Sequence, residues 1–169
     1  IQSLVKLSRM ESGIIAVHSE DTTIKQMLES IQQQFNVKVR EKNITLSLCD
    51  TDLHVRCDPK WTVEAIGNIV DNAIKYTACG GNVQIKVEQY SFFVKIDIID
   101  DGIGIEKEEI PKIFGRFYRS LSVADQPGVG IGLFLAREII QAQKGYIKVT
   151  SEREKGSTFS VFLPISKKE

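Results

Sequence analysis

An α+β sandwich, with one sheet covered by helices on one face, is the fold class this 169-residue sequence predicts. Three observations lead there. Two segments, at about residues 22–40 and 58–77, carry apolar residues at helical spacing. The second half of the chain holds alternating apolar runs at about 83–87, 92–99, 147–150 and 158–163, which read as antiparallel strands. A further helical segment, at about 130–144, lies between the two pairs of strands. No internal repeat or low-complexity tract interrupts the pattern.

Residues 1–13 read as the last turns of a helix, with Leu4, Val5 and Leu7 as its apolar stripe and Gly13 as its stop. A polar connector, 14–21, follows. Asp21 or Thr22 is expected to cap the next helix, which buries Ile24, Leu28, Ile31 and Phe35. Ile44, Leu46 and Leu48 alternate as a strand, and a short strand at His54-Val55 is expected to pair with it. Asp58 caps the following helix with Pro59 in its first turn. Gly80-Gly81 breaks the chain before the strand of Val83, Ile85 and Val87, and Tyr90-Ser91 joins that strand to the next as a hairpin. A short helix is expected near 108–114. The helix after Gly130 should turn Leu133, Ala136 and Ile140 inward, and Glu154-Lys155-Gly156 joins the last two strands.

Composition excludes several classes. Hydrophobic residues at 42% and charged residues at 26% are ordinary for one globular domain. A formal net charge of zero leaves no electrostatic footprint for nucleic acid or an anionic membrane. Phosphate binding would have to come from local geometry. Cys49, Cys57 and Cys79 form no CxxC pair, which fits a reducing compartment and shows no zinc site. No apolar run is long enough to cross a membrane, and the absence of an initial methionine suggests a piece of a longer protein.

Three segments carry chemistry. On a helix turning about 100° per residue, Asn68, Asn72 and Lys75 share one stripe, flanked by Glu64 and Tyr76. Carboxamide oxygens one turn apart suit a hard cation, and a lysine one turn on can meet phosphate. Strand parity from Val94, Ile96 and Ile98 turns Asp100 toward the apolar side and Asp101 toward solvent. A carboxylate so placed needs a donor, such as the exocyclic amine of adenine, and Gly102 and Gly104 leave room for a base. Gly128, Gly130 and Gly132, followed by Leu133, enter a helix and expose backbone N–H groups at its positive end. This GxGxG pattern follows a loop and lacks both the dinucleotide fingerprint and the P-loop ending. Taken singly, the three segments also fit a solvated helix face, a turn after a strand and a flexible hinge.

In this order, the segments resemble the N, G1 and G2 boxes of sensor histidine kinases, and Ile113-Phe114-Gly115-Arg116-Phe117-Tyr118-Arg119 resembles the F box between the last two. Leu7-Ser8-Arg9-Met10-Glu11-Ser12-Gly13 resembles the end of the second dimerisation helix that precedes this domain in such kinases. The resemblance implies the Bergerat-type ATP-binding fold, a two-layer α/β sandwich whose mixed, mostly antiparallel sheet is covered on one face by about three helices. It implies an ATP-binding catalytic domain at 22–166 with a lid at about 105–127, in which Phe114, Phe117 and Tyr118 should anchor the loop. Asn72, with Asn68 beside it, would bind Mg²⁺. Lys75, Tyr76 and Arg119 would approach phosphates or ribose, and Asn68, Asn72, Lys75 and Arg119 would be the catalytic set. Asp100 would take the adenine amine, Gly102 and Gly104 would line the base, and Gly128, Gly130, Gly132 and Leu133 would contact the nucleotide. The implied cofactors are ATP and Mg²⁺, and the implied partners are a histidine-bearing dimerisation domain and a response regulator. The family's phosphoacceptor box has no match here, since His18 and His54 stand in other contexts. The implied setting is the cytoplasmic part of a membrane-anchored sensor. Another ATPase of the superfamily, an anti-sigma serine kinase and a non-catalytic nucleotide-binding module are the competing readings.

Overall fold

The computed structural model describes residues 16–119 and 130–165, together with Val5 and Ser8. Within the expected first helix only those two positions are described, both helical; its stop at Gly13 lies outside the described residues. The chain then forms strand β1 (Glu20–Thr23), helix α1 (Ile24–Glu41), strands β2 (Thr45–Leu48) and β3 (His54–Cys57), and helix α2 (Pro59–Tyr76). Strands β4 (Asn82–Gln89) and β5 (Phe93–Asp100) make the central hairpin. Helix α3 (Gly132–Ala142) and strands β6 (Tyr146–Glu152) and β7 (Gly156–Pro164) complete the fold.

The main sheet has the order β2-β4-β5-β7-β6. Its β4–β5, β5–β7 and β6–β7 pairs are antiparallel, and β2 runs parallel to β4. Three helices cover one face, as expected for an α+β sandwich. Along β5, Val94, Ile96, Ile98 and Asp100 are buried, while Phe93, Lys95, Asp97 and Ile99 alternate on the half-covered face. Facing them, α1 buries Ile24, Met27, Leu28, Ile31 and Phe35, and α2 buries Trp61, Ile66, Ile69, Val70 and Ile74. Helix α3 adds Leu135, Ala136, Ile139 and Ile140. One apolar cluster joins these residues to Val83, Ile85, Val161 and Leu163 of the sheet. Burial of that many branched side chains supplies the main driving force for the domain.

Four local expectations are corrected. Residues 20–23 pair with β3 as a two-stranded sheet, Thr22 lying opposite Val55, so neither Asp21 nor Thr22 caps α1. The first helical N–H, from Ile24, donates to the Leu53 carbonyl at 3.1 Å instead. Strand β3 thus belongs to β1, whereas β2 joins β4 through a crossover that includes α2. The expected helix near 108–114 is a single 3-10 turn, Ile110–Lys112. In α3 the inward face is set by Leu135, Ile139 and Ile140; Leu133 is only partly buried.

Asp58 caps α2 as expected, its carboxylate accepting from the N–H groups of Lys60 at 3.1 Å and Trp61 at 3.2 Å. A second layer of bonding lies beneath it. Gln143, 5% exposed, accepts from the Asp58 N–H at 2.6 Å through Oε1, and its Nε2 donates to Thr62 Oγ1 at 3.1 Å and the Ile139 carbonyl at 3.3 Å. This amide ties the end of α3 to the start of α2. Gln143→Leu keeps the volume but leaves the Asp58 N–H buried without an acceptor, and is expected to destabilise the domain by about 2–3 kcal/mol. Chemical denaturation of the two proteins measures the difference; a loss below about 0.5 kcal/mol would show that the amide is dispensable.

Candidate nucleotide-binding site

The polar stripe of α2 emerges beside the start of α3. Asn68 Nδ2 donates to the Gly132 carbonyl at 3.1 Å, which leaves its Oδ1 as an acceptor. A Cβ added to Gly132 would lie 3.9 Å from Asn68 Cβ, so the glycine segment rests directly on the asparagine helix. Asn72, half-buried, has no side-chain partner among the described residues. Lys75 pairs with Asp71 at 3.1 Å, and the other oxygen of Asp71 pairs with Lys38 of α1 at 2.8 Å. The Asp71 carboxyl is held below its ordinary range: burial opposes ionisation, and the two lysines together outweigh it. Lys42 Nζ donates to the Ile74 and Lys75 carbonyls at 2.8 and 2.9 Å, which satisfies the last turn of α2.

The aspartate segment docks on that same helix end. The Ile103 N–H donates to the Tyr76 carbonyl at 3.2 Å. A Cβ on Gly102 would stand 2.3 Å from the Tyr76 oxygen, and one on Gly104, at φ +71°, 2.1 Å from the Glu152 oxygen. Both glycines are therefore demanded by close backbone packing within the protein.

Asp100 is turned inward, 9% exposed, and accepts from the Gly102 N–H at 2.9 Å. Burial pushes its carboxyl above the ordinary range, against the pull of the Gly102 and Ser157 N–H groups. Asp101 points outward and accepts from the N–H and the Nδ2 of Asn82, both at 2.9 Å, which hold its carboxyl low. Strand parity thus separates two adjacent aspartates into an exposed one and a buried one whose carboxylate is held by the Gly102 and Ser157 N–H groups.

Residues 105–119 are tied to the last two strands and to α3. Phe114 is buried and meets Phe159 edge-on, with ring centroids 6.3 Å apart. Tyr118 donates to Glu109 at 2.9 Å. Phe117, expected to anchor the loop, is 55% exposed and does not. Gly130, at φ +74°, lies against the Phe117 and Tyr118 backbone, where a Cβ would come within 2.9 Å. Arg116 stacks over Phe134 of α3, with its Cζ 5.0 Å from the ring centroid. Arg119 is near enough to Tyr76 to favour the phenolate, although burial dominates and pushes the phenol up. Gly128 and the 120–127 part of the expected lid lie outside the described residues.

The structure links Asn68 to Gly132, Gly130 to the Phe117–Tyr118 backbone, and Gly102 and Ile103, just after Asp100, to Tyr76 at the end of the helix that carries Asn72 and Lys75, with Arg119 near Tyr76. Sequence reading missed Lys38, Lys42 and Gln143, all supports behind the first layer. A polar residue on a helix surface carries no local signal that a second helix will dock on it.

Residues 57–167 match the family described as histidine kinase-, DNA gyrase B-, and HSP90-like ATPase. Over its full length the chain is 32% identical to the sensor histidine kinase WalK of Bacillus subtilis, covering 28% of that protein. Over 97% of its length it is 30% identical to the sensor protein kinase PmrB of Pseudomonas aeruginosa, covering 35% of it. The chain thus spans about a third of these relatives. The mycobacterial sensor histidine kinase MprB superposes with a TM-score of 0.77 at 25% identity, over 88% of this chain and 98% of that one. Histidine kinase ThkA in complex with the response regulator TrrA shares the fold, with a TM-score of 0.74 at 23% identity over 98% of this chain and 49% of that one. The chain belongs to the histidine kinase-, DNA gyrase B- and HSP90-like ATPase family, and within it to the ATP-binding catalytic domains of sensor histidine kinases.

Proposed function

We propose that this chain binds Mg·ATP and donates the γ-phosphoryl group to a histidine on a separate helical domain, for onward transfer to an aspartate of a response regulator. The observation that carries the reading is the buried Asp100, followed at once by Gly102 and Ile103, which dock on Tyr76 at the end of the helix that bears the Asn68–Asn72–Lys75 stripe. Asp100 would accept from the adenine amine. Lys75, Tyr76 and Arg119 would meet the phosphates, with N–H groups from 130 and 132 at the positive end of α3; Gly128, outside the described residues, would share that role by its place in the motif. The segment from about 105 to 127 would close over the nucleotide as a lid.

The donor set fits magnesium. Asn72 offers a carboxamide oxygen with no partner among the described residues and Asn68 a second, oxygen donors of the kind a hard cation takes together with phosphate and water. No group of three or more His, Cys, Asp or Glu side chains able to hold a metal occurs among the described residues, so the ion would be shared with the nucleotide. Bound there, it would neutralise charge on the transferring phosphoryl group. In the reaction a ring nitrogen of the acceptor histidine bonds to the γ-phosphorus as the bond to the β,γ-bridging oxygen breaks, and ADP departs. The protein's part is to hold donor and acceptor in line. No helix among the described residues is long and apolar enough to cross a membrane. A place on the cytoplasmic side of a longer sensor goes with this reading.

Neither His18 nor His54 is placed to accept. The His18 backbone donates to Asp58 at the opposite end of α2, and the His54 ring pairs with Asp21 at 3.1 Å on the small sheet. The chain alone is expected to bind ATP without labelling itself, and to label the parent protein's histidine-bearing helical domain when that is supplied. Radiolabelled ATP followed by acid and alkali treatment reports the product. An acid-labile, alkali-stable label on this chain alone would overturn the separate-acceptor reading.

A further inference from the structure

Asp71 shares its two oxygens between two ammonium groups, Lys75 one turn along α2 at 3.1 Å and Lys38 across on α1 at 2.8 Å. The three groups differ in exposure: the side chains of Asp71 and Lys75 are 25% and 30% exposed, that of Lys38 56%. Lys42 fixes the backbone of the last turn by bonding the Ile74 and Lys75 carbonyls. Lys42 thus holds the backbone of the helix end, and the Lys75 side chain is held by Asp71 alone among the described residues. To reach a phosphate, Lys75 must leave Asp71. A half-buried carboxylate stripped of its only cation, beside an incoming polyanion, would oppose that move.

We propose that Lys38 is a positioning residue for nucleotide binding: it stays on Asp71 as the second cation and so allows Lys75 to exchange Asp71 for the phosphates of ATP. This rests on the reading of Lys75 as a phosphate ligand given above. The exchange keeps one positive charge on Asp71 throughout. Lys38 itself need never touch the nucleotide, and it sits over the Phe35 ring, 5.7 Å from its centroid, which steadies its stem on α1.

A double-mutant cycle read by calorimetry tests the idea. Lys38→Met should weaken ATP binding by about two- to fivefold, because Lys75 becomes the sole partner of Asp71. Adenosine, which has no phosphates, should bind Lys38→Met as it binds the wild type. Lys38→Arg should restore ATP affinity. In an Asp71→Asn background the Lys38→Met change should have no further effect, since no carboxylate remains to be satisfied. Equal losses in both backgrounds would mean that Lys38 acts by long-range attraction alone, and would overturn the exchange. So would equal losses for ATP and adenosine, which would mark a general structural defect. A wild-type chain that fails to bind ATP overturns this inference and the proposed function together; wild-type binding with an unaltered Lys38→Met affinity overturns only this one.

Discussion

Asp100→Asn is expected to weaken ATP binding by about 10- to 100-fold, roughly 1.4–2.8 kcal/mol. The amide keeps the size and one carbonyl oxygen of the acid. The Gly102 N–H, which donates to Asp100 at 2.9 Å, can keep that oxygen. What remains to face the base is an N–H₂ group, and the adenine amine then meets a donor where it needs an acceptor. Stability separates this loss from damage to the fold. The Asp100 carboxyl sits above its ordinary value of 3.8 through burial. An acid with a raised folded-state pKa lends stability that is fully present below the unfolded value and lost as pH rises through the folded one. The amide does not titrate. Relative to wild type, the variant should therefore gain thermal stability as pH rises from about 3.5 to 7, whatever constant difference the substitution itself introduces. Unchanged ATP affinity would sink the adenine role of Asp100; a flat stability difference across that range would sink the account of its burial.

The inward turn of Asp100 was legible because it follows from parity in a strand whose alternation is clean. Val94, Ile96 and Ile98 set the register, and β4 and β5 lie close in sequence, so the hairpin needs no distant information. The stripe on α2 was legible for a similar reason: Asn68 and Asn72, one turn apart, lie with Glu64 and Lys75 away from the buried residues Ile66, Ile69, Val70 and Ala73. The small sheet was not. Glu20–Thr23 contains no alternating apolar pattern, and its partner lies more than thirty residues away, opposite Thr22 at Val55. The parallel pairing of β2 with β4 was hidden likewise, since its register, Leu46 on Val83, depends on how the intervening helix packs.

Within the site, the residues that face outward were read and those behind them were not. Asn68, Asn72 and Lys75 are conspicuous as polar groups on a buried helix. Lys38 and Lys42 look like the ordinary basic residues at a helix C-terminus, where they suit the dipole in any case. Only the docking of α1 on α2 turns them onto Asp71 and the carbonyls of Ile74 and Lys75. Gly102 and Gly104 show a different limit. Their positions were read correctly as close-approach points, but the approaching atoms are the Tyr76 and Glu152 backbone oxygens. A glycine announces that something comes near, and leaves unsaid what.

Gly156 carries the same logic to its largest expected effect. It begins β7 opposite the end of β5, with φ +90°, and a Cβ there would lie 2.0 Å from the Asp100 carbonyl oxygen and 2.9 Å from Asp101 Cα. Gly80 has nearly the same backbone conformation, φ +83°, with nothing within 4 Å of its Cβ position. The two alanine variants therefore separate backbone strain from collision. Gly80→Ala should cost about 1–2 kcal/mol, the penalty for an L-residue at positive φ. Gly156→Ala carries that penalty and must also push the end of β5 away from β7, for a total of about 4 kcal/mol or more. For a domain of this size each kcal/mol lowers the melting midpoint by about 2–4 °C, so a difference of roughly 5–10 °C between the two variants is expected. The displaced element carries Asp100, so ATP affinity should fall with Gly156→Ala and hold with Gly80→Ala. Thermal melts and calorimetry on both proteins decide it. If Gly156→Ala is no less stable than Gly80→Ala, the close approach of β7 to Asp100 does not hold that residue in place.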